Sequence, residues 1–179
     1  NVTVTGNFAA GSGGGIYGNA VMENSILAQN DSVLGPDCYG NLSSVGYNIF
    51  GNTAVCNISV GANDLLDSDP KLNTFLPSRG YQPIKSNSPA RNSANSLTCL
   101  SADQRGMPRV GVCDRGAYEY TTPGAAAVIE IVAGDNQRTA PRTPFPMQFK
   151  VVILDANGSP VSGQDVEFSA PATGPSGLF

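Results

Sequence analysis

A short phrase returns three times in the first third of the chain. Thr3-Val4-Thr5-Gly6-Asn7, Ile26-Leu27-Ala28-Gln29-Asn30 and Asn48-Ile49-Phe50-Gly51-Asn52 each place an apolar residue three positions before a closing Asn. The closing residues Asn7, Asn30 and Asn52 follow one another at intervals of 23 and then 22 positions. A strand-like run at a nearly constant interval, with turn-rich sequence between copies, is the signature of a stacked repeat. A segment of this size cannot close a core by itself. Stacked on its neighbours, with strands pairing in parallel ~4.8 Å apart, it can. The spacing puts Val4, Leu27 and Ile49 in one interior column. It gathers Asn7, Asn30 and Asn52 at one corner, where amides can form a hydrogen-bonded ladder and tolerate the left-handed backbone a corner needs.

Composition supports short strands and tight turns. The chain has 21 Gly and 13 Pro among 179 residues, yet 40% of residues are apolar and the net charge is only −4. Disorder driven by high charge and low hydrophobicity does not fit. No 3.6-residue apolar period appears, and the Gly density penalises helices. No run approaches the ~18 apolar residues of a membrane-spanning helix, and no basic run points to nucleic acid. The chain opens with Asn inside a repeat, which predicts a piece of a longer protein.

Four cysteines fall in two close pairs, Cys38 with Cys56 and Cys99 with Cys113. Four cysteines allow three connectivities, and proximity favours pairing within each pair. Two such disulfides imply an oxidising, extracytoplasmic location. The alternative is a thiolate metal site, but the chain has no His and no C-x-x-C spacing.

Projected forward, the repeat lands on Leu72 and then fades around Pro77, Pro83 and Pro89. Val112 to Tyr120 reads as a last strand, so residues 1–120 form one domain with a capping loop at its end. Residues 121–127 (TTPGAAA) are a small-residue linker. After it, Val128-Ile129-Glu130-Ile131-Val132 and Gln148 to Leu154 read as strands, with a turn at Asp155 to Pro160. Val161 and Val166-Glu167-Phe168 continue the β pattern. Residues 128–179 amount to about half of a ~100-residue antiparallel sandwich.

Residues 24–120 resemble the C-terminal end of the bacterial choice-of-anchor Q domain proteins. The resemblance rests on Asn24-Ser25-Ile26-Leu27-Ala28, Pro36-Asp37-Cys38, Gly46-Tyr47-Asn48-Ile49, Asp69-Pro70-Lys71-Leu72 and Ser88-Pro89-Ala90. It closes with Asp103-Gln104-Arg105-Gly106 and Cys113-Asp114-Arg115-Gly116-Ala117-Tyr118-Glu119-Tyr120. Gly13-Gly14-Gly15-Ile16-Tyr17 is similar to the repeats that precede that region. Arg115 replaces the usual apolar residue, read as a surface change. Residues 128–179 resemble the first half of bacterial Ig-like modules of the invasin and intimin type, through Gly134-Asp135-Asn136-Gln137 and Asp155-Ala156-Asn157-Gly158-Ser159-Pro160-Val161. Together these imply an all-β fold: the last coils of a right-handed parallel β-helix, a pectate-lyase-like solenoid, followed by an incomplete Ig-like sandwich. They also imply a secreted or cell-surface bacterial protein of adhesive character, with no defined enzymatic activity.

Candidate chemistry is sparse. Without His, the Ser-His and Cys-His nucleophile arrangements and the common catalytic zinc sites are excluded. Asp64, Asp67 and Asp69 could offer oxygen ligands to Ca²⁺, but they lack the EF-hand spacing, and turn formation before Pro70 explains Asp69. Asp103, Arg105, Asp114 and Arg115 could serve a glycosidase pair or hold a sugar carboxylate. Flanked by Cys99 and Cys113, they read instead as ion pairs of a stapled loop, with Arg105 on Asp103 or Asp114. Seven of the ten basic residues lie between Lys71 and Arg115, as a solvated basic face. Tyr17, Tyr47, Tyr81, Tyr118 and Tyr120 could stack on sugars or pack at coil edges. The expectation is a non-catalytic structural and adhesive segment without cofactor, meeting glycans or a host or matrix surface. The rival is the C-terminal part of a polysaccharide lyase or glycoside hydrolase whose catalytic coils lie upstream.

Overall fold

The recurring phrase forms short strands that pair with one another in parallel. The computed structural model describes residues 1–140, 142–170 and 172, and among the described residues there is no helix. The chain is all-β. It divides into two compact units, Asn1–Thr122 and Pro123–Phe179.

In the first unit the strands are β1 (Thr3–Val4), β2 (Phe8–Ser12), β3 (Ile16–Tyr17), β4 (Ala20–Glu23), β5 (Ile26–Leu27), β6 (Asp31–Leu34), β7 (Cys38–Gly46), β8 (Ile49–Phe50) and β9 (Cys56–Ser59). One parallel sheet runs β1-β5-β8, with Val4 opposite Leu27 and Leu27 opposite Phe50. A second pairs β2 with β6. A third joins β3 and β4 to β7, and β7 to β9. The interior column is therefore Val4, Leu27 and Phe50. Ile49 belongs to the neighbouring column with Thr3 and Ile26. Counting from the closing Asn misplaced the third rung by one residue, because the strand offset stays at 23 while Asn52 follows Asn30 by 22.

The third rung is also shorter. β7 pairs with β9 at an offset of 16, as Leu42 with Ile58, and Ile49 bridges Leu65 at the same offset. From Asn52 the chain turns directly to Cys56, so this rung has no counterpart of β2 and β6. The residue stacked on Ile49 is thus Leu65, not Leu72, and it extends the Thr3-Ile26-Ile49 column. Leu72 instead bridges Ile84 antiparallel, and Leu76 bridges Tyr81. All four side chains are buried.

Met22, Leu27, Cys38, Leu42 and Phe50 form the core, with Val4, Ile16, Ala20, Cys56 and Ile58 packed against it. Each large apolar side chain fully buried here contributes roughly 1.5–3 kcal/mol. Burial alternates along β7: Cys38 and Leu42 point inward, Tyr39, Asn41, Ser43 and Val45 outward. In β5 and β8 every residue is buried. Something must therefore cover the outer side of that sheet.

That cover is residues 90–120. Gly116 donates its N–H to Asn24 O (2.7 Å). Ala117 N–H reaches Thr3 Oγ1 (3.0 Å), Asn95 N–H reaches Asn24 Oδ1 (2.7 Å), and Arg115 Nη1 reaches Asn48 O (2.9 Å). The segment expected as a capping loop thus runs along the side of the stack, with hydrogen bonds to all three rungs. Gly116 and Ala117 spend their N–H groups on the stack. Asp114, Arg115, Glu119 and Tyr120 donate theirs to Glu119 Oε2, Ala90 O, Asp103 Oδ2 and Asp114 Oδ2 within the segment, so Val112 to Tyr120 forms no strand. Gly116 sits at φ +85°, where a Cβ would come 2.6 Å from Thr3 Oγ1 and 2.8 Å from Ile26 Cδ1. Only glycine permits that approach.

In the second unit β10 (Val128–Ala133) and β11 (Lys150–Leu154) form an antiparallel pair, Ile129 opposite Ile153, with an irregularity between Ile131 and Ala133. The Asp155 to Pro160 turn forms as expected. Asp155 Oδ1 accepts from Asn157 N (2.9 Å) and Ser159 N (2.8 Å), and its Oδ2 accepts from Gly124 N (2.9 Å). Val161 and Val166 to Phe168 form no strand. Part of the 128–179 expectation, at 141, 171 and 173–179, lies outside the described residues.

Candidate functional site

The corner after β1 and β5 holds the first two Asn rungs. Asn30 Oδ1 accepts from Asn7 Nδ2 (2.9 Å) and from Asn7 N (3.1 Å). The ladder stops there. The next acceptor is Asp37, whose Oδ1 takes Asn30 N and Asn30 Nδ2, both at 2.9 Å, and whose Oδ2 takes Asn52 N (2.7 Å). Asn52 joins the corner only through its backbone, because the in-register position after Asn30 is Thr53. A second ladder, not anticipated, runs at the other end of the same sheet. Val2 N–H donates to Ser25 Oγ (3.0 Å), Ser25 N–H to Asn48 Oδ1 (2.9 Å), and Asn48 N–H to Asp64 Oδ1 (2.8 Å). In both ladders a side-chain oxygen accepts a corner backbone N–H that strand pairing leaves unpaired. In the second that oxygen always comes from the next rung, whereas at the first corner Asp37 serves Asn30 of its own coil and Asn52 of the following rung.

A cleft of about 470 Å³ opens beside the first corner, lined among others by Gln29, Asn30, Asp37, Asn52, Asp67 and Asp69. Its carboxylates are committed to the backbone. Asp67 Oδ1 accepts from Thr53 N (2.9 Å) and Thr53 Oγ1 (2.8 Å), bonds that hold this carboxyl below the usual range. Asp69 accepts from Lys71 N (2.8 Å). Asp64 accepts from Asn48 and from Gly61 N (2.7 Å). Asp64, Asp67 and Asp69 therefore serve separate turns. Among the described residues no group of three or more His, Cys, Asp or Glu is gathered as a metal cluster would be.

The lateral segment carries a buried ionic network. Arg105 Nη2 lies 2.8 Å from Asp103 Oδ2, and its guanidinium sits 3.8 Å over the Tyr118 ring. Asp114 does not pair with Arg105. Its two oxygens accept from Asn92 N and Tyr120 N, both at 2.6 Å. The second ion pair is Arg109 with Glu119 (2.9 Å), and neither residue stood out in the sequence. Burial pushes the Asp114 carboxyl up to about 6, against the opposing pull of the Tyr120 and Asn92 N–H donors. Arg115 is buried, not a surface change: Nε donates to Ser93 O and Nη1 to Asn48 O, both at 2.9 Å. Burial lowers its pKa. With Arg105, Arg109 and Arg115 turned inward, the seven basic residues do not make one solvated face. Tyr81 and Tyr118 are buried in the same region, 5.7 Å apart.

Cys38–Cys56 and Cys99–Cys113 are both bonded. The first ties β7 to β9 across neighbouring rungs; the second closes the lateral segment on itself. Two disulfides point to an oxidising, extracytoplasmic environment. No helix among the described residues is long and apolar enough to cross a membrane.

The β3/β4-β7-β9 sheet leaves its outer side uncovered. Tyr17 and Tyr39 lie in register on adjacent strands, their rings 5.7 Å apart and within 8° of parallel. Tyr17 is 73% exposed and Tyr39 37%. Beside them runs an exposed amide column: Asn41 Nδ2 donates to Asn19 Oδ1 (3.0 Å) and Asn57 Nδ2 to Asn41 Oδ1 (2.7 Å). Tyr39, Asn19 and Asn57 were not singled out from the sequence. The period-2 alternation of Tyr39-Gly40-Asn41-Leu42-Ser43 was the available signal. No family model, no curated protein and no solved structure matches the chain.

Proposed function

We propose that the first unit is the C-terminal part of a right-handed parallel β-helix and that the second begins an Ig-like sandwich. Together they form a non-catalytic structural and adhesive segment of a large secreted or cell-surface bacterial protein. The observation that carries this reading is the parallel register at offsets of 23, 22 and 16, three successive rungs laid on one another. A stack of this kind grows in one dimension and yields a rod with lateral faces. Its polar groups hold the stack together. Asp37, Asp64, Asp103, Asp114 and Arg115 all bond backbone atoms of other turns. The exposed edge-on apolar residues Ile129 and Ile131 of β10 suit a sheet that packs against a further layer.

The test is incubation of the full-length protein with neutral and acidic polysaccharides while new reducing ends and unsaturated products are measured. The adhesive reading expects none. Turnover that disappears when a carboxylate upstream of Asn1 is mutated would replace it with the lyase or hydrolase reading.

A further inference from the structure

We propose that the outer side of the β3/β4-β7-β9 sheet binds a neutral glycan chain, laid along the stacking direction with one sugar per strand. This rests on the rod reading above and names the ligand for one of its faces. Three observations carry it. The first is the pair of exposed, parallel tyrosine rings, which offer amphipathic surface against which the apolar C–H face of a pyranose can pack. The second is the amide column. Asn41 spends one N–H and one lone pair on its neighbours, and keeps one donor and one acceptor for outside partners. That combination matches vicinal hydroxyls. A flat apolar protein partner would instead leave those amide groups desolvated and unpaired, at a cost.

The third observation is charge. β3, β7 and β9 contain no Asp, Glu, Lys or Arg. The one charged residue of β4, Glu23, accepts a hydrogen bond from Thr98 (2.6 Å). A face with no cation offers nothing to uronic-acid chains or nucleic acid, whose binding depends on neutralising their anionic groups. Neutral hexose chains need no such partner. The strands repeat at ~4.8 Å, comparable to the length of one pyranose unit, so rung and sugar can stay in phase over several rungs.

The experiment is calorimetric titration of the full chain with neutral oligosaccharides of glucose, mannose and galactose, and with polygalacturonate as the acidic arm. The expected result is binding of at least one neutral chain, unchanged in about 0.5 M NaCl where exposed ionic contacts are screened. Tyr17→Ala/Tyr39→Ala should weaken it about tenfold or more, as should Asn41→Ala. Absence of neutral-chain binding, preference for polygalacturonate, or equal binding by the tyrosine variant would each overturn the proposal. So would self-association by sedimentation that the same variant abolishes, which would make the face a contact between copies. Hydrogen exchange at Cys38–Gly46 is read in the same samples. Protected amides with no glycan bound defeat this inference alone, whereas unprotected amides in the unmodified protein defeat the rod reading with it.

Discussion

Replacing Asp37 should unfasten the corner that joins the rungs. The side chain is buried, and it accepts Asn30 N, Asn30 Nδ2 and Asn52 N at 2.9, 2.9 and 2.7 Å. In Asp37→Ala the Asn30 amide keeps Val4 O and Ala28 O as acceptors, so the loss falls on the two backbone N–H groups. An unsatisfied buried donor costs about 1–3 kcal/mol and a hydrogen bond to a charged group is worth about 1.5–3. Asn52 N is partly reachable by water, which places the total near 3–5 kcal/mol. Asp37→Asn keeps one acceptor oxygen where the two Asn30 donors converge and turns an NH₂ toward Asn52 N, so it should lose about 1–3 kcal/mol. The assay is urea unfolding of the oxidised protein, with β-sheet circular dichroism as readout. Both variants within about 1 kcal/mol of the parent, or the Asn form as damaged as the Ala form, would refute the reasoning that two separate backbone donors depend on two separate oxygens.

Three further outcomes follow from the same structure. Asp114 has its folded pKa raised to about 6, so the unfolded chain releases this proton first, and stability falls as pH rises from about 4 to 6. Partial solvent screening brings the loss to about 2 kcal/mol. Urea midpoints measured across this window should show the decline in the parent and not in Asp114→Asn. Gly116→Ala forces a left-handed alanine against Thr3 and Ile26 and should cost about 2–4 kcal/mol in unfolding free energy, detaching the lateral segment. An unchanged midpoint would contradict that docking. Each disulfide, with sequence separations of 18 and 14, should contribute about 3 kcal/mol in the chain-entropy model. No free thiol should react under denaturation without reductant; four reactive thiols would remove the argument for an oxidising compartment.

The strands of the first sheet were legible because Val4, Leu27 and the Ile49-Phe50 pair recur at a nearly fixed interval. The register was read one residue out at the third rung. Asn52 looks like a ladder residue, yet the acceptor at that corner is Asp37, which lies on the neighbouring side of the coil. The consecutive apolar residues Ile26-Leu27 and Ile49-Phe50 already carried the sign of a sheet covered on both faces. What covers it could not be read, since Gly116, Ala117 and Arg115 meet partners 67 to 114 positions away. No local pattern encodes contacts of that range. Arg115 illustrates the consequence: an Arg in a Gly-rich loop reads as solvated until Ser93 O and Asn48 O are seen to receive it. The outward Tyr39 and Asn41 were readable from alternation, but their in-register partners Tyr17 and Asn19 required the offset of 22 in that sheet, one less than in β1-β5-β8.

Parallel, in-register stacking underlies both the proposed rod and the glycan-binding face proposed for it, and nuclear Overhauser contacts across β4, β7 and β9 test it most directly. The predicted result is amide-to-Hα contacts linking Ala20 with Leu42 and Leu42 with Ile58, without the close Hα-to-Hα pairs of antiparallel strands. Close Hα-to-Hα contacts between β7 and β9, or Leu42 paired with residues other than Ala20 and Ile58, would contradict it.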